Sequence, residues 1–190
     1  MLTDRPPRNA ALLRKFLESE QLGGLDLPRD DRLRIPAGLI DAALAACKAT
    51  ALRDACANFL GAASDFYKVS RPQVRVLNAR PVRVREGGSA VELFGDYHPK
   101  TMLIRVWMRT AVRQQVTSFG TFLSTLCHEF CHHLDSHRLG FPDSPHTRGF
   151  YERAAVLYHH ARGTPVKRLF WVGMAGGRWR IDWKRTNRGF

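Results

Sequence analysis

The chain has 190 residues, 44% of them hydrophobic, and its 30 Lys and Arg against 17 Asp and Glu give a formal net charge of +13. This length and apolar content predict a single domain with a real core and exclude an intrinsically disordered chain. No apolar run reaches the roughly 18 residues of a membrane span, and the first ten residues lack the apolar region of a secretion signal. We therefore expect a cytoplasmic, monomeric protein with reduced cysteines.

Two helices are predicted in the first third of the chain. Apolar residues at helical spacing predict a helix from Asn9 to Gln21, and Pro36 opens a longer one that continues through Phe59. Residues 1–8 are expected to be loose. We interpret residues 1–66 as a helical scaffold without chemistry of its own.

The apolar period changes to two after residue 70, which indicates β-strands. A first strand or hairpin would expose a row of arginines, with a turn at Glu86–Ser89. Two further strands are predicted at 90–94 and 101–108, joined by a loop at 95–100. Together these segments predict a small, mostly antiparallel sheet.

One helix, from Ser118 to Gly140, carries the residues on which the functional interpretation depends. Ser118 or Thr117 can cap its start, and Gly140 follows its last turn as a stop. Beside its apolar stripe, His128, Glu129 and His132 form the pattern H-E-x-x-H. The helical pitch puts the two histidines one turn apart on one face, where both imidazoles can reach one zinc ion. Glu129 can reach a water held on that ion.

A catalytic zinc needs a third protein ligand, and the residues alone leave several candidates. His146 follows a loop with one Gly and two Pro that would turn the chain back, and Glu152 lies at the interval at which thermolysin-like enzymes place a glutamate. Asp135 and His137 continue the same helix, which carries them away from the metal face. Two thiols of the apolar stripe are a minor alternative as ligands: Cys127 and Cys131.

The last part of the chain differs in composition from the rest. A second helix is predicted from Phe150 to Arg162, ended by Gly163. Residues 164–190 hold seven Lys or Arg against one Asp, and three of the four Trp. Two apolar runs flank Ala175-Gly176-Gly177, which predicts a basic, Trp-rich β-hairpin.

Two short motifs are separated by thirteen residues: His128-Glu129-Phe130-Cys131-His132 and His146-Thr147-Arg148-Gly149-Phe150. Together they resemble the SprT-like (Spartan-type) zinc metallopeptidases and their small zincin relatives, with a third His and an aromatic residue four positions later. Upstream, Phe94 to Pro99 is similar to the glycine-tyrosine turn of that family. The resemblance covers about residues 70–162. Thr147 stands where the family often has Gly, and the zinc ribbon of many members has no counterpart.

The resemblance implies an α+β, zincin-like fold: N-terminal helices, the small sheet, the H-E-x-x-H helix, a second helix and the basic hairpin. Residues 70–163 would be the zincin core. It implies a Zn²⁺-dependent endopeptidase with Glu129 as the general base, and with the substrate extended along Thr101–Met108 as the edge strand. The implied zinc ligands are His128, His132 and His146. Four candidates could stabilise the oxyanion that forms: Tyr97, Tyr151, Tyr158 and His137.

The positive charge predicts an acidic or phosphate-bearing partner, and the family resemblance implies proteins bound or crosslinked to DNA. Aromatic rings among the arginines could stack on bases. The alternative is a nucleic-acid-binding or regulatory protein whose zinc site is structural or vestigial. The basic residues predicted to contact nucleic acid are Arg75, Arg83, Arg85, Arg178, Arg180, Lys184 and Arg185.

Overall fold

The computed structural model describes residues 1–84 and 90–188; Arg85 and the predicted turn at Glu86–Ser89 lie outside them. Helices and short strands combine in an α+β fold. Within the described ranges, no helix is long and apolar enough to cross a membrane. The elements are α1 (Ala10–Gln21), α2 (Arg34–Ala45), α3 (Ala49–Tyr67), β1 (Gln73–Ala79), β2 (Val82–Val84), β3 (Ala90–Glu92), β4 (Gly95–His98), β5 (Leu103–Arg109), α4 (Phe119–Leu134), a π-helical turn (Asp135–Leu139), α5 (Arg148–Arg162), β6 (Trp171–Met174), β7 (Arg178–Ile181) and α6 (Trp183–Arg188).

The N-terminal helices differ from the prediction at one point. α1 begins as predicted, because the Asn9 side chain accepts hydrogen bonds from the N–H groups of Ala11 and Leu12 at 3.0 and 3.1 Å. The single long helix predicted from Pro36 is wrong: it is two helices, α2 and α3. Cys47 adopts a left-handed backbone conformation (φ 52°) between them, and α3 folds back to pack on α2.

The main sheet is mixed, with strand order β1-β5-β4. β5 pairs in parallel with β1 and antiparallel with β4. The prediction of a mostly antiparallel sheet is therefore wrong for this sheet. A parallel pair needs a long crossover connection, and residues 80–102 provide it. β2 and β3 form a separate antiparallel pair.

The segment 95–100, predicted as a loop, contains the edge strand β4. Its residues pair with β5 in the register Gly95↔Val106 to His98↔Leu103. β5 is consequently the central strand, and the prediction that it forms the edge is wrong. A four-residue strand between Phe94 and Pro99 shows too little alternation to be recognised from the sequence.

The core lies between the sheet and the helices. α4 packs on β4 and β5, α3 packs on β1, and α5 packs on α4. Ile104 and Val106 on β5 are fully buried, as are Leu123, Leu126 and Phe130 on α4. Burying each of these side chains contributes about 1.5–3 kcal/mol, which fixes α4 against the sheet.

The C-terminal hairpin is confirmed, and the N-terminus is not loose. β6 and β7 pair antiparallel around residues 175–177, followed by the short helix α6, which was not predicted. The first four residues, the N-terminal arm, run along β7: the N–H of Thr3 donates to the Trp179 carbonyl at 2.8 Å, and the N–H of Ile181 donates to the Met1 carbonyl at 3.2 Å.

Candidate metal centre

Three histidine rings converge where α4, the loop after it and α5 meet. One ring nitrogen from each of His128, His132 and His146 can be chosen so that all three lie within 4.8 Å of one another. Nε2 of His128 lies 3.1 Å from Nε2 of His146. Two zinc–nitrogen bonds of about 2.0–2.1 Å at a tetrahedral angle would separate their nitrogens by about 3.3 Å. The spacing therefore fits a single tetrahedral ion.

The loop after α4 returns His146 to the helix. Gly140 ends the π-helical turn in the left-handed conformation (φ 76°), which only glycine adopts without strain. Thr147 then caps α5, its Oγ1 accepting the N–H of Phe150 at 3.0 Å. The same hydroxyl lies 3.0 Å from Ser19 Oγ on α1. Thr147 thus has a structural role at the position where the SprT-like family often has Gly.

Phe150 forms the floor of the site. Its ring is fully buried, and its centroid lies 4.9, 4.5 and 5.1 Å from those of His128, His132 and His146. The three histidines are half-buried. Burial lowers the pKa of His128 to about 3 and the pKa of His132 well below its ordinary value, and His146 adds to both shifts. At neutral pH both rings are therefore neutral and can bind a cation.

The donor set fits zinc. Three neutral imidazoles suit Zn²⁺, whose catalytic sites combine three protein ligands with one open position. Among the described residues, no further His, Cys, Asp or Glu joins the three histidines in this group. The described residues therefore offer three protein ligands at this centre, which is the number found in catalytic zinc sites.

A chain of hydrogen bonds orients His132. Its Nδ1 lies 2.7 Å from Ser144 Oγ, and the Ser144 hydroxyl donates to Asp135 at 3.0 Å. Asp135 accepts from Nη2 of Arg153 at 2.9 and 3.1 Å, and both of these side chains are fully buried. Occupying Nδ1 in this way leaves Nε2 of His132 free for a metal.

His146 is oriented by a different residue, Asp4. The Asp4 carboxylate oxygen Oδ2 lies 3.3 Å from His146 Nδ1 and accepts the backbone N–H of His146 at 2.8 Å. Burial alone would raise the pKa of Asp4, but the hydrogen bonds from His146 hold it below its ordinary value. The Nε2 atom of His146 is the one that faces His128.

The side chain of Glu129, on α4, packs against the edge strand β4. It is 5% exposed, and a Cβ atom added to Gly95 would come within 2.8 Å of its Oε1. The same Cβ would lie 2.6 Å from the methyl carbon of Thr125, so a side chain at this place in β4 would displace both neighbours. Burial raises the pKa of Glu129 to about 8, and the nearby carboxylate of Asp96 adds to this shift. The carboxyl is therefore buried against the edge strand β4.

The other candidate ligands lie elsewhere. Glu152 accepts a hydrogen bond from the indole N–H of Trp171 at 3.3 Å, and Asp135 is engaged by Arg153. Cys127 and Cys131 are buried in the core as free thiols, and burial raises the pKa of both well above the ordinary value. None of these residues belongs to the group of three histidines.

Two of the oxyanion candidates are bonded to each other. The Tyr97 hydroxyl lies 3.0 Å from Nε2 of His137 and 2.9 Å from Nδ1 of His133. His133 is fully buried, and its Nε2 reaches the Ser70 carbonyl at 2.7 Å. This cluster ties β4 to the end of α4, one helical turn past Glu129.

The other two oxyanion candidates lie on α5. Tyr151 stacks on His146 with ring centroids 5.7 Å apart, and its hydroxyl donates to the Leu2 carbonyl at 3.1 Å. The Tyr158 hydroxyl accepts from Arg162, one turn along the helix. Of the four candidates, Tyr151 packs directly against a predicted ligand.

The predicted nucleic-acid contacts are only partly described. Arg75 is exposed on β1, and Arg180, Lys184 and Arg185 are exposed in the C-terminal segment, where Arg178 is half-buried. Arg83 lies in β2. As noted, Arg85 is outside the described residues.

Sequence reasoning missed three residues of this site: Asp4, Ser144 and Arg153. Asp4 was assigned to a loose segment, and Ser144 was treated only as part of a loop. The one signal for Arg153 is its place on the same face of the predicted helix as the apolar Phe150 and Leu157. Comparison with protein-family models, with curated proteins and with solved structures gives no significant match. The resemblance to the SprT-like family accordingly depends on the sequence motifs alone.

Proposed function

We propose that the chain is a zinc-dependent endopeptidase of the SprT-like, zincin type. The observation that carries this proposal is the convergence of His128, His132 and His146, with the buried Glu129 directly after His128 on α4. A purely structural zinc would have no use for Glu129, whereas a hydrolytic site needs a base there. The set of three protein ligands among the described residues supports the same function.

In peptide hydrolysis, Glu129 would act as the base and Ser144 would hold a metal ligand in place. Zinc, when bound, supplies a Lewis acid that polarises the scissile carbonyl and lowers the pKa of a water. Glu129 accepts a proton from the attacking water and returns it to the amine that leaves. Burial favours the protonated form of Glu129, and positive charge in the centre favours the ionised form that a base requires. Ser144 holds the ring of His132 in place through Nδ1.

The free edge of β4 is the proposed substrate track. Among residues 1–84 and 90–188, β5 is the only strand that pairs with β4, so the other edge of β4 can pair with an extended peptide. Gly95 on this edge strand is next to Glu129. A peptide added there would bring its carbonyl groups near the base. This track replaces the predicted one along Thr101–Met108.

The direct test is Glu129→Gln, with Glu18→Gln on the surface of α1 as the matched control. The amide keeps the size of the side chain and is not a ligand, so zinc content should stay that of the wild type. Hydrolysis of an unfolded protein substrate should fall by roughly a hundred- to ten-thousandfold. The control should match the wild type. A zinc-loaded wild type no faster than Glu129→Gln, with and without DNA, would overturn the proposal.

A second candidate function, nucleic-acid binding with a structural zinc, draws on the C-terminal segment. A cavity of about 370 Å³ is lined by Val166, Lys167, Arg168, Phe170, Thr186, Asn187 and Arg188. The guanidinium carbons of Arg185 and Arg168 lie 4.6 and 5.4 Å from the ring centre of Phe170. Surfaces that bind single-stranded nucleic acid combine basic side chains with aromatic rings on which bases stack, and this segment offers both residue types.

If the chain binds nucleic acid, its affinity for an oligonucleotide should depend strongly on salt concentration. An oligonucleotide should lose on the order of a thousandfold in affinity between about 50 and 200 mM salt. Replacing Arg180, Lys184 and Arg185 with Ala should flatten this slope. Absence of binding even at low salt would remove this function and leave the peptidase proposal intact.

A further inference from the structure

The N-terminal arm links the C-terminal hairpin to the metal centre. Thr3 of this arm is 3% exposed. Its backbone N–H donates to the Trp179 carbonyl at 2.8 Å, and its Oγ1 accepts the backbone N–H of Trp179 at 2.7 Å. The next residue, Asp4, donates from its N–H to the His146 carbonyl at 2.9 Å. The arm is therefore paired with β7 on one side and with the third histidine on the other.

Asp4 contacts His146 through both backbone and side chain. Its Oδ2 accepts the His146 backbone N–H at 2.8 Å and lies 3.3 Å from Nδ1 of the ring. A carboxylate at Nδ1 favours the tautomer with its proton there, which leaves the lone pair on Nε2. That Nε2 atom is 3.1 Å from Nε2 of His128, on the side where the three rings converge.

A second contact holds the arm against the same ring. The Tyr151 hydroxyl donates to the carbonyl of Leu2, and the Tyr151 ring stacks on His146 at 5.7 Å. His146 is thus enclosed by Tyr151 on one face and by Asp4 at its edge. Neither residue is on the helix that carries the other two histidines.

We propose that Asp4 is a positioning residue of the metal centre, and that the N-terminal arm couples the C-terminal hairpin to the third ligand. This inference rests on the proposed metal site but not on its peptidase activity. Residues that orient a metal-bound histidine typically contribute 10- to 100-fold to metal affinity. The side chain of Asp4 is 54% exposed, so water weakens the contact and the lower end of that range applies.

The test measures zinc affinity by competition with a chelator of known affinity. Asp4→Ala should weaken zinc binding about tenfold, and Asp4→Asn, which keeps an acceptor oxygen, should weaken it less. Asp143→Ala is the matched control, because it removes an exposed acid three residues before His146. Its zinc affinity should equal that of the wild type. The visible absorption spectrum of the Co²⁺-loaded protein should change in Asp4→Ala and not in the control.

A remote variant separates positioning from general stability. Thr3→Val removes the acceptor for the Trp179 N–H without touching His146. It should lower zinc affinity by a smaller factor than Asp4→Ala. In the Asp4→Ala background it should have no further effect on zinc affinity, because the arm acts on the metal centre through Asp4. Both variants would still lower the melting temperature of the zinc-free chain.

Two results would overturn the inference. One is Asp4→Ala with the zinc affinity and the Co²⁺ spectrum of the wild type. The other is Thr3→Val and Asp4→Ala lowering zinc affinity by independent factors that multiply. Neither result bears on peptide hydrolysis, and an inactive but zinc-binding wild type would sink the peptidase proposal while leaving this inference standing.

Discussion

The buried ion pair of Arg153 and Asp135 holds the hydrogen-bond chain that reaches His132, and its contribution to the free energy of unfolding can be predicted. Both side chains are 0% exposed, and Arg153 also donates to the Ser19 and Leu22 carbonyls at the end of α1. Arg153→Met keeps much of the volume and removes the charge, so the Asp135 carboxylate stays buried with the Ser144 hydroxyl as its remaining donor. Breaking a buried pair in this way costs about 3–5 kcal/mol of unfolding free energy.

The assay is urea unfolding of the zinc-free protein, with melting temperature as a second measure. A loss of 3–5 kcal/mol in a protein of this size corresponds to about 6–20 °C. Adding Asp135→Asn should restore part of the loss, because a neutral amide is less costly to bury than an unpaired carboxylate. Arg14→Met, which breaks an exposed pair with Glu18 on α1, is the matched control and should change little. A loss below about 1 kcal/mol for Arg153→Met would refute the argument from burial.

Three further outcomes follow from the site. His146→Ala should abolish tight zinc binding, whereas Glu152→Ala should keep it, as measured by metal analysis; the reverse would make Glu152 the third ligand. Zinc binding should hold from pH 8 to at least about pH 6 in a pH titration and weaken only in more acidic solution, because protons compete for the imidazoles. Since burial lowers the pKa of His128, this loss should come at a lower pH than for an exposed His site, and a loss above pH 7 would contradict the site. When free zinc is at 100 times the dissociation constant of the site, zinc should add about 2.7 kcal/mol to the free energy of unfolding, and removing the metal should lose this contribution. An unchanged melting temperature would mean that zinc does not bind the folded chain more tightly than the unfolded chain.

Local patterns predicted the parts of the site that belong to one helix. The i, i+4 spacing of His128 and His132 on an amphipathic helix specifies their shared face before anything is known of the fold. Gly140 and Ser118, one of the two predicted caps, mark the ends of that segment, because capping is also a local signal. His146 was one of several open candidates until the motif around it was compared with a family.

The parts that escaped prediction depend on contacts between residues far apart in the chain. Asp4 reaches His146 across 142 positions, and Arg153 reaches Ser19 across 134. No local period records such contacts. The break at Cys47 was hidden as well, because neither Gly nor Pro interrupts the Ala-rich run, and packing of α3 on α2 decides it.

The measurement that tests the central claim most directly is the zinc-edge X-ray absorption spectrum of the zinc-loaded chain. Three imidazoles and one light oxygen ligand at about 2.0–2.1 Å, with no sulfur, is the result expected for His128, His132, His146 and an open position. A sulfur shell near about 2.3 Å would mean that Cys127 or Cys131 binds the metal, and four imidazoles would mean a closed, structural site. Either of those spectra would contradict the catalytic centre proposed for this chain.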